Sequence, residues 1–162
     1  FFCYVPYNTP HTPASVPVDK WRQWVDRTDV EDPFDRAMYA LVENVDENMG
    51  RLLAKLEALE ILDETVFIFL TDNGPNGSRF NDGMRGWKSS VDEGGVRVPL
   101  FVRWPKRIRA GTVVKPNVAH IDLLPTLSRI AGVENLKKKT LPSIISNSAL
   151  GCQIIQRLII RN

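Results

Sequence analysis

The stretch Thr71-Asp72-Asn73-Gly74-Pro75 sets a carboxylate beside an amide where an apolar run, Val66-Phe67-Ile68-Phe69-Leu70, stops. Two chemistries are open to it. Asp, Asn and Gly are turn formers, since the short side chains bond nearby backbone and Gly tolerates positive φ, so a plain Asx turn accounts for the composition. Adjacent Asp and Asn oxygens equally suit a hard cation such as Ca²⁺ or Mg²⁺. Ligands of α/β sheets gather beyond the carboxyl ends of strands, which is where Asp72 and Asn73 fall if Val66–Leu70 is a central strand.

Other residues invite similar pairs of readings. His11 lies in a loop after an apolar run, so it either faces the same crevice or is a surface or core-satisfied histidine. Lys88, in "MRGWKSS", reads on its own as a solvated lysine. "DEGGVRVP" supplies Glu93, Gly94, Gly95 and Arg97, a turn flanked by an ion pair. Taken singly, none of these decides a function.

The elements that must position them are legible from periodicity and punctuation. Phe1 to Val5 is aromatic and β-branched and is closed by Pro6, which predicts a strand. "PYNTPHTPASVP" is too rich in proline to be helical and holds His11. Asp32-Pro33 is a cap followed by Pro at the first helical position. Met38, Leu41, Val42, Val45, Met49, Leu52, Leu53, Leu56 and Leu59 then recur at helical spacing, predicting a long helix that ends near Leu62. Gly50 interrupts it at a cost of about 1 kcal/mol against Ala, which predicts close packing there. Asp63-Glu64 turn the chain into a buried strand at Val66–Leu70. A helix leading into an all-apolar strand is the αβ unit of a mainly parallel sheet flanked by helices. Residues 74–95 form a long polar, glycine-rich excursion, and such loops are usually functional. Val98–Trp104 is the next strand. Asp122 caps a last helix through Ala131, with Pro125 in its first turn and Gly132 as its stop.

Composition sets outer bounds. The 162 residues are 43% hydrophobic and 25% charged, ordinary for one globular domain. A net charge of +2 gives no reason to expect nucleic acid or a membrane surface as partner. No apolar run approaches the ~20 residues of a membrane span. Cys3 and Cys152 make neither a disulfide framework nor a metal-type pair. "FFCYVPY" lacks the basic lead of a signal peptide. Opening on Phe1 and straight into a predicted strand, the chain is expected to be a piece of something longer.

In order and spacing, "VFIFLTDNGP", "RGWKSSVDEGGVRVPLFVRWP" and "HIDLLPTL" resemble the C-terminal half of a sulfatase catalytic domain of the arylsulfatase type. "FFCYVPYNTPHTP" resembles that family's strand and histidine loop, and "YALVENVDENMGRLLAKLEAL" its long helix, with Tyr39, Asp46 and Gly50 at the matching places. The resemblance covers residues 1–133 and implies an incomplete alkaline-phosphatase-like α/β fold. It also implies that sulfate esters of small molecules or glycans are hydrolysed when the N-terminal half is present. Asp72 and Asn73 become two ligands of a divalent metal, usually Ca²⁺, with Mg²⁺ the alternative. His11 and Lys88 become the groups that hold the sulfate oxygens and assist the leaving group. Related phosphodiesterases and phosphonate hydrolases share the Asp-Asn segment, and a non-catalytic remnant is the reading from another class.

Three departures stand against that pattern. The family's nucleophile, a formylglycine made from Cys or Ser in a C/S-x-P-S-R stretch, has no counterpart, since neither Cys3 nor Cys152 fits. The paired aspartates that complete the family's metal site are absent. From Glu134 the tail diverges, so residues 134–162 read as truncated or rearranged, with a helical stripe of Ile154, Ile155, Leu158 and Ile159 as one option. Many members of the family are exported, but the segment that would give the compartment is missing, and nothing in the sequence gives the oligomeric state.

Overall fold

Asp32 and Pro33 start the longest element where the sequence predicts it. The computed structural model describes residues 1–77 and 79–133, together with the backbone of a strand at 156–159. They fall into two compact units, Phe1–Thr65 and the chain from Val66 onward.

The first unit is built on two helices, α1 (Val18–Trp24) and α2 (Pro33–Ala58). The Asp32 carboxylate accepts from the Phe34 N–H at 2.7 Å, satisfying one donor that the helix itself cannot pair. Ala37, Ala40, Leu41 and Val45 are buried, while Val42 and Leu59 of the same predicted stripe are half exposed. Helix α2 ends before Leu62 because Glu60 takes a φ of +57° and Ile61 N–H bonds back to Leu56 O at 3.1 Å. Helix α1 was not legible behind the proline-rich loop. Trp24 holds it to α2: its Nε1 donates to Glu43 at 2.7 Å, and its ring stacks on Tyr39 at 5.5 Å between centroids. Lys20 is buried and paired with Glu47, and that hydrogen bond raises the Lys20 pKa. Arg36 ties the connection between the helices through the carbonyls of Val25, Val30 and Glu31.

Two expectations fail in this unit. Phe1–Val5 is not a strand but an exposed segment without regular structure. A strand exists only through the hydrogen bonds of a neighbour, and the described residues of the unit contain none. Gly50 is exposed, and a Cβ there would meet nothing within 4 Å, so close packing is not its reason. Phe1, Phe2 and Tyr4 are between 78% and 90% exposed. Apolar patches of that kind associate, and we expect the isolated chain to form concentration-dependent aggregates by light scattering. A dilute monomer with a sharp, cooperative unfolding transition would contradict this.

The second unit holds the sheet. Strand β1 (Phe67–Leu70) pairs antiparallel with β2 (Val98–Arg103), with Phe67 opposite Arg103 and Leu70 opposite Leu100. Strand β3 (Val113–Val118) and β4 (Gln156–Ile159) complete the order β1-β2-β4-β3. The chain is α/β as predicted. Its own sheet is mixed, however: β2 runs parallel to β4, but β1–β2 and β3–β4 are antiparallel. The expected mainly parallel pairing therefore does not describe these four strands, and β1 lies at an edge of them. Along β2, Val98 and Leu100 are buried and Pro99 is exposed, the alternation of a strand with one covered face. Leu158 and Ile159 belong to a strand rather than a helical stripe; Ile154 and Ile155 lie outside the described residues.

Between β1 and β2 stands a single helical turn, α3 (Glu93–Val96), and after β3 comes α4 (Leu123–Ile130). Asp122 Oδ2 accepts from Ala119 N–H at 2.8 Å, and Gly132, with φ +74°, stops α4 as predicted. Among the described residues no helix is long and apolar enough to cross a membrane.

Candidate functional site

Past Leu70 the chain does not make the Asx turn that its composition allows. Such a turn would use the N–H of Gly74, two residues beyond Asp72. That N–H donates instead to Gly95 O at 2.9 Å, and the Asp72 carboxylate accepts from Asn73 N–H at 2.9 Å. Asp72 is exposed at the carboxyl end of β1. Asn73 spends its amide nitrogen on Gly74 O at 2.9 Å, so its oxygen is the atom left to act.

Two further main-chain bonds bring the Lys88 segment to this corner. Lys88 N–H donates to Pro75 O at 2.8 Å, and Gly94 N–H donates to Arg85 O at 2.7 Å. Asp72–Pro75, Arg85–Lys88 and α3 are thereby laced together through backbone alone. Their approach is too close for side chains. A Cβ on Gly74 would sit 1.8 Å from Gly94 O, one on Gly94 2.1 Å from Gly86 O, and one on Gly95 2.3 Å from Ser90 O. Gly94 and Gly95 were expected to permit a sharp turn. They lie instead in the helical turn α3, are buried, and must be glycine because other backbone touches them. Glu93 and Arg97 brace that turn, with Arg97 Nη1 3.4 Å from Glu93 Oε1.

Two shallow depressions flank the lacing. One, of about 330 Å³, opens at the end of β1 and is lined by Asn73, Pro75, Met84, Arg97 and Pro99, among others. The other, of about 340 Å³, is lined by Lys88 together with Arg85, Trp87, Ser90 and Asp92. Trp87 is 51% exposed, an apolar ring beside the lysine. His11 belongs to the first unit. It is exposed, its Nδ1 lies 2.7 Å from Thr12 O, and cis Thr9-Pro10 and Thr12-Pro13 bonds bracket it.

The structure thus places Asn73 and Lys88 on neighbouring depressions of one laced corner, with Asp72 exposed at its edge. Asp72 and Asn73 offer the hard oxygens that Ca²⁺ or Mg²⁺ takes, and in that respect they fit such an ion. Six or more ligands are usual for Ca²⁺; among the described residues no three or more His, Cys, Asp and Glu come together in a metal-type group. What the sequence left unmarked is Asn81. Its Nδ2 donates to Met84 O at 2.7 Å and to Gly86 O at 2.9 Å. The only signal was an amide residue inside a glycine-rich loop.

Comparison with known proteins places this chain in a family. The sulfatase family model matches residues 1–133. The steryl-sulfatase of Mus musculus is 41% identical over 103 residues, covering 57% of this chain and 16% of the relative. A sulfatase of Formosa agariphila is 32% identical over 163 residues, 90% of this chain and 30% of the relative. The N-acetylglucosamine-6-O-sulfatase of Bacteroides thetaiotaomicron is 38% identical over 71% of this chain and 19% of its own length. The crystal structure of Ps i-CgsB in complex with k-i-k-neocarrahexaose is similar in fold, with a TM-score of 0.73 and 30% identity over 80% of this chain and 28% of that one. The chain spans less than a third of these curated relatives' length. The extent of the family match makes the chain a member of the sulfatase family.

Proposed function

We propose that this chain supplies part of the catalytic site of a sulfuric ester hydrolase. Asp72 and Asn73 would be two oxygen ligands of a divalent cation, Ca²⁺ or Mg²⁺, and Lys88 and His11 would hold the sulfate group. The observation that carries the reading is the Lys88 N–H to Pro75 O bond of 2.8 Å, which fixes a cation-bearing loop against the Asp72–Pro75 segment. Membership of the sulfatase family supports the same assignment.

The roles follow from the chemistry of the ester. A sulfate monoester is anionic, and its leaving oxygen gains charge as the S–O bond breaks. A lysine ammonium carried on an anchored backbone would lower the energy of that charge. His11 would donate to the departing oxygen or hold a sulfate oxygen. A divalent cation would add Lewis-acid polarisation of the sulfate, and a formylglycine would supply the attacking oxygen. Neither the formylglycine stretch nor the paired aspartates of the family occur in the sequence of this chain. The relatives' names point to sterol and glycan sulfates, so the substrate class proposed is a sulfated small molecule or glycan.

The test is a chimera in which residues 1–133 replace the matching segment of an active sulfatase. It is expected to hydrolyse an aryl sulfate in preference to the matched aryl phosphate. A preference for phosphate would move the chain to the phosphodiesterase branch, and an inactive, folded chimera would support a non-catalytic remnant. The chain on its own is expected to show no useful aryl sulfatase turnover, because covalent catalysis has no nucleophile in it. Metal-dependent turnover that persists through repurification would overturn that expectation.

A further inference from the structure

We propose that Asn81 is a positioning residue that holds Lys88 in its working place, an inference that rests on the assignment of Lys88 to the sulfate group. The segment from Asp82 to Gly86 cannot hold itself. Asp82, Gly83 and Gly86 all have positive φ, at 61°, 72° and 84°, so no helical or strand ladder runs through it. What closes it is Asn81. The backbone O of Asn81 accepts from Met84 N–H at 3.2 Å, and its side-chain amide reaches both Met84 O and Gly86 O. One residue therefore fixes three groups across a six-residue loop.

The Gly86 carbonyl is the point that matters. On one side it accepts the Asn81 amide; on another it lies 2.1 Å from where a Gly94 Cβ would stand, so it is packed against bare backbone. From Gly86 the chain passes through Trp87 alone before Lys88, whose N–H is pinned to Pro75 O. The lysine backbone is thus anchored before and at its own position. Freeing Gly86 would let the Lys88 ammonium drift relative to Asp72 and Asn73. Displacement of a catalytic group by about 1 Å can cost on the order of 100-fold in rate. Asn81 itself is half-buried at the wall of the depression that Asn73 also lines, and its amide nitrogen is committed to the Met84 and Gly86 carbonyls, which makes it a holder of the loop.

The experiment is a mutant cycle in the sulfatase chimera, with hydrogen exchange measured alongside. Asn81→Ala is expected to lower kcat roughly 10- to 100-fold with KM little changed, since the loss falls on transition-state placement. In a Lys88→Ala background the same substitution should have no further effect, because a residue acting through Lys88 has nothing left to position. Asn81→Asp offers two carbonyls a carboxylate at neutral pH and an O–H donor only when protonated, so its activity relative to the parent should recover as pH falls toward the carboxyl range. Asn81→Ala should show no such recovery. Exchange of the Lys88 amide should quicken in Asn81→Ala while amides of α2 keep their protection. Independent, multiplicative losses from Asn81→Ala and Lys88→Ala would overturn the proposal, as would unchanged protection of the Lys88 amide. A harmless Lys88→Ala would sink the assignment of Lys88 itself, and the positioning role with it.

Discussion

Asp72→Ala in the chimera is expected to remove nearly all sulfatase activity and most of the bound divalent metal, whereas Asp63→Ala should leave both almost untouched. Both side chains are exposed aspartates next to β1, so loss of acidic charge alone cannot separate them. Asp63 sits in the 3₁₀ turn Leu62–Glu64 that leads to the amino end of the strand. Asp72 stands past its carboxyl end, on the segment laced to Lys88 and α3. As a metal ligand it carries charge that neither Ala nor water replaces, so occupancy and polarisation fall together. As a mere turn residue it would lose only its bond to Asn73 N–H, worth about 1 kcal/mol of stability. Metal content by elemental analysis and turnover on an aryl sulfate, measured for both variants, decide between the two. Normal metal content in Asp72→Ala would end the metal reading.

The second large effect concerns glycine. Gly94→Ala is expected to disrupt the laced corner, costing about 3 kcal/mol or more and taking activity with it. The added carbon would stand 2.1 Å from Gly86 O, 2.6 Å from Asn81 Nδ2 and 2.8 Å from Arg85 O, two of the three being backbone that cannot swing aside. Gly50→Ala makes the contrast. It adds a methyl to an exposed helix position with nothing within 4 Å, and should raise stability by up to about 1 kcal/mol through helix propensity. Urea unfolding of both variants, made in the chimera, reads the signs directly. A neutral Gly94→Ala would show that the corner has more room than its backbone contacts allow.

The parts of this chain read correctly from sequence are those fixed by local rules. Asp32, Pro33 and the spacing of Leu41 and Val45 specify α2 without help from distant residues. Gly132 stops α4 because a left-handed position has few other candidates. The apolar run ending at Leu70 marks β1 for a similar reason. What escaped depended on partners far along the chain. Phe1–Val5 has strand composition, yet composition provides no neighbour to bond with. The pairing of β2 with β4 joins residues more than fifty positions apart, and no periodicity announces direction or order. Leu158 and Ile159 satisfy a helical spacing and a strand equally over so short a run. At the candidate site, Asp72, Asn73 and Lys88 were marked by residue type and family resemblance. Asn81 was not, because an amide that serves only backbone carbonyls looks like any loop residue until those carbonyls have positions.

The bonds from Lys88 N–H to Pro75 O and from Gly74 N–H to Gly95 O involve no side chain. Their strength is therefore indifferent to what the neighbouring residues are, provided the backbone path is kept. Trp87 and Val91 project from this loop, 51% and 82% exposed, so either can be exchanged without loosening it. Ser89 is less free, since its φ of +74° favours Gly, Asn or Asp as replacements. A library randomising position 87, with 89 limited to those residues, would vary the lining around Lys88 while leaving its anchorage intact. The corner is in this sense a socket whose edges can be exchanged while its frame stays fixed.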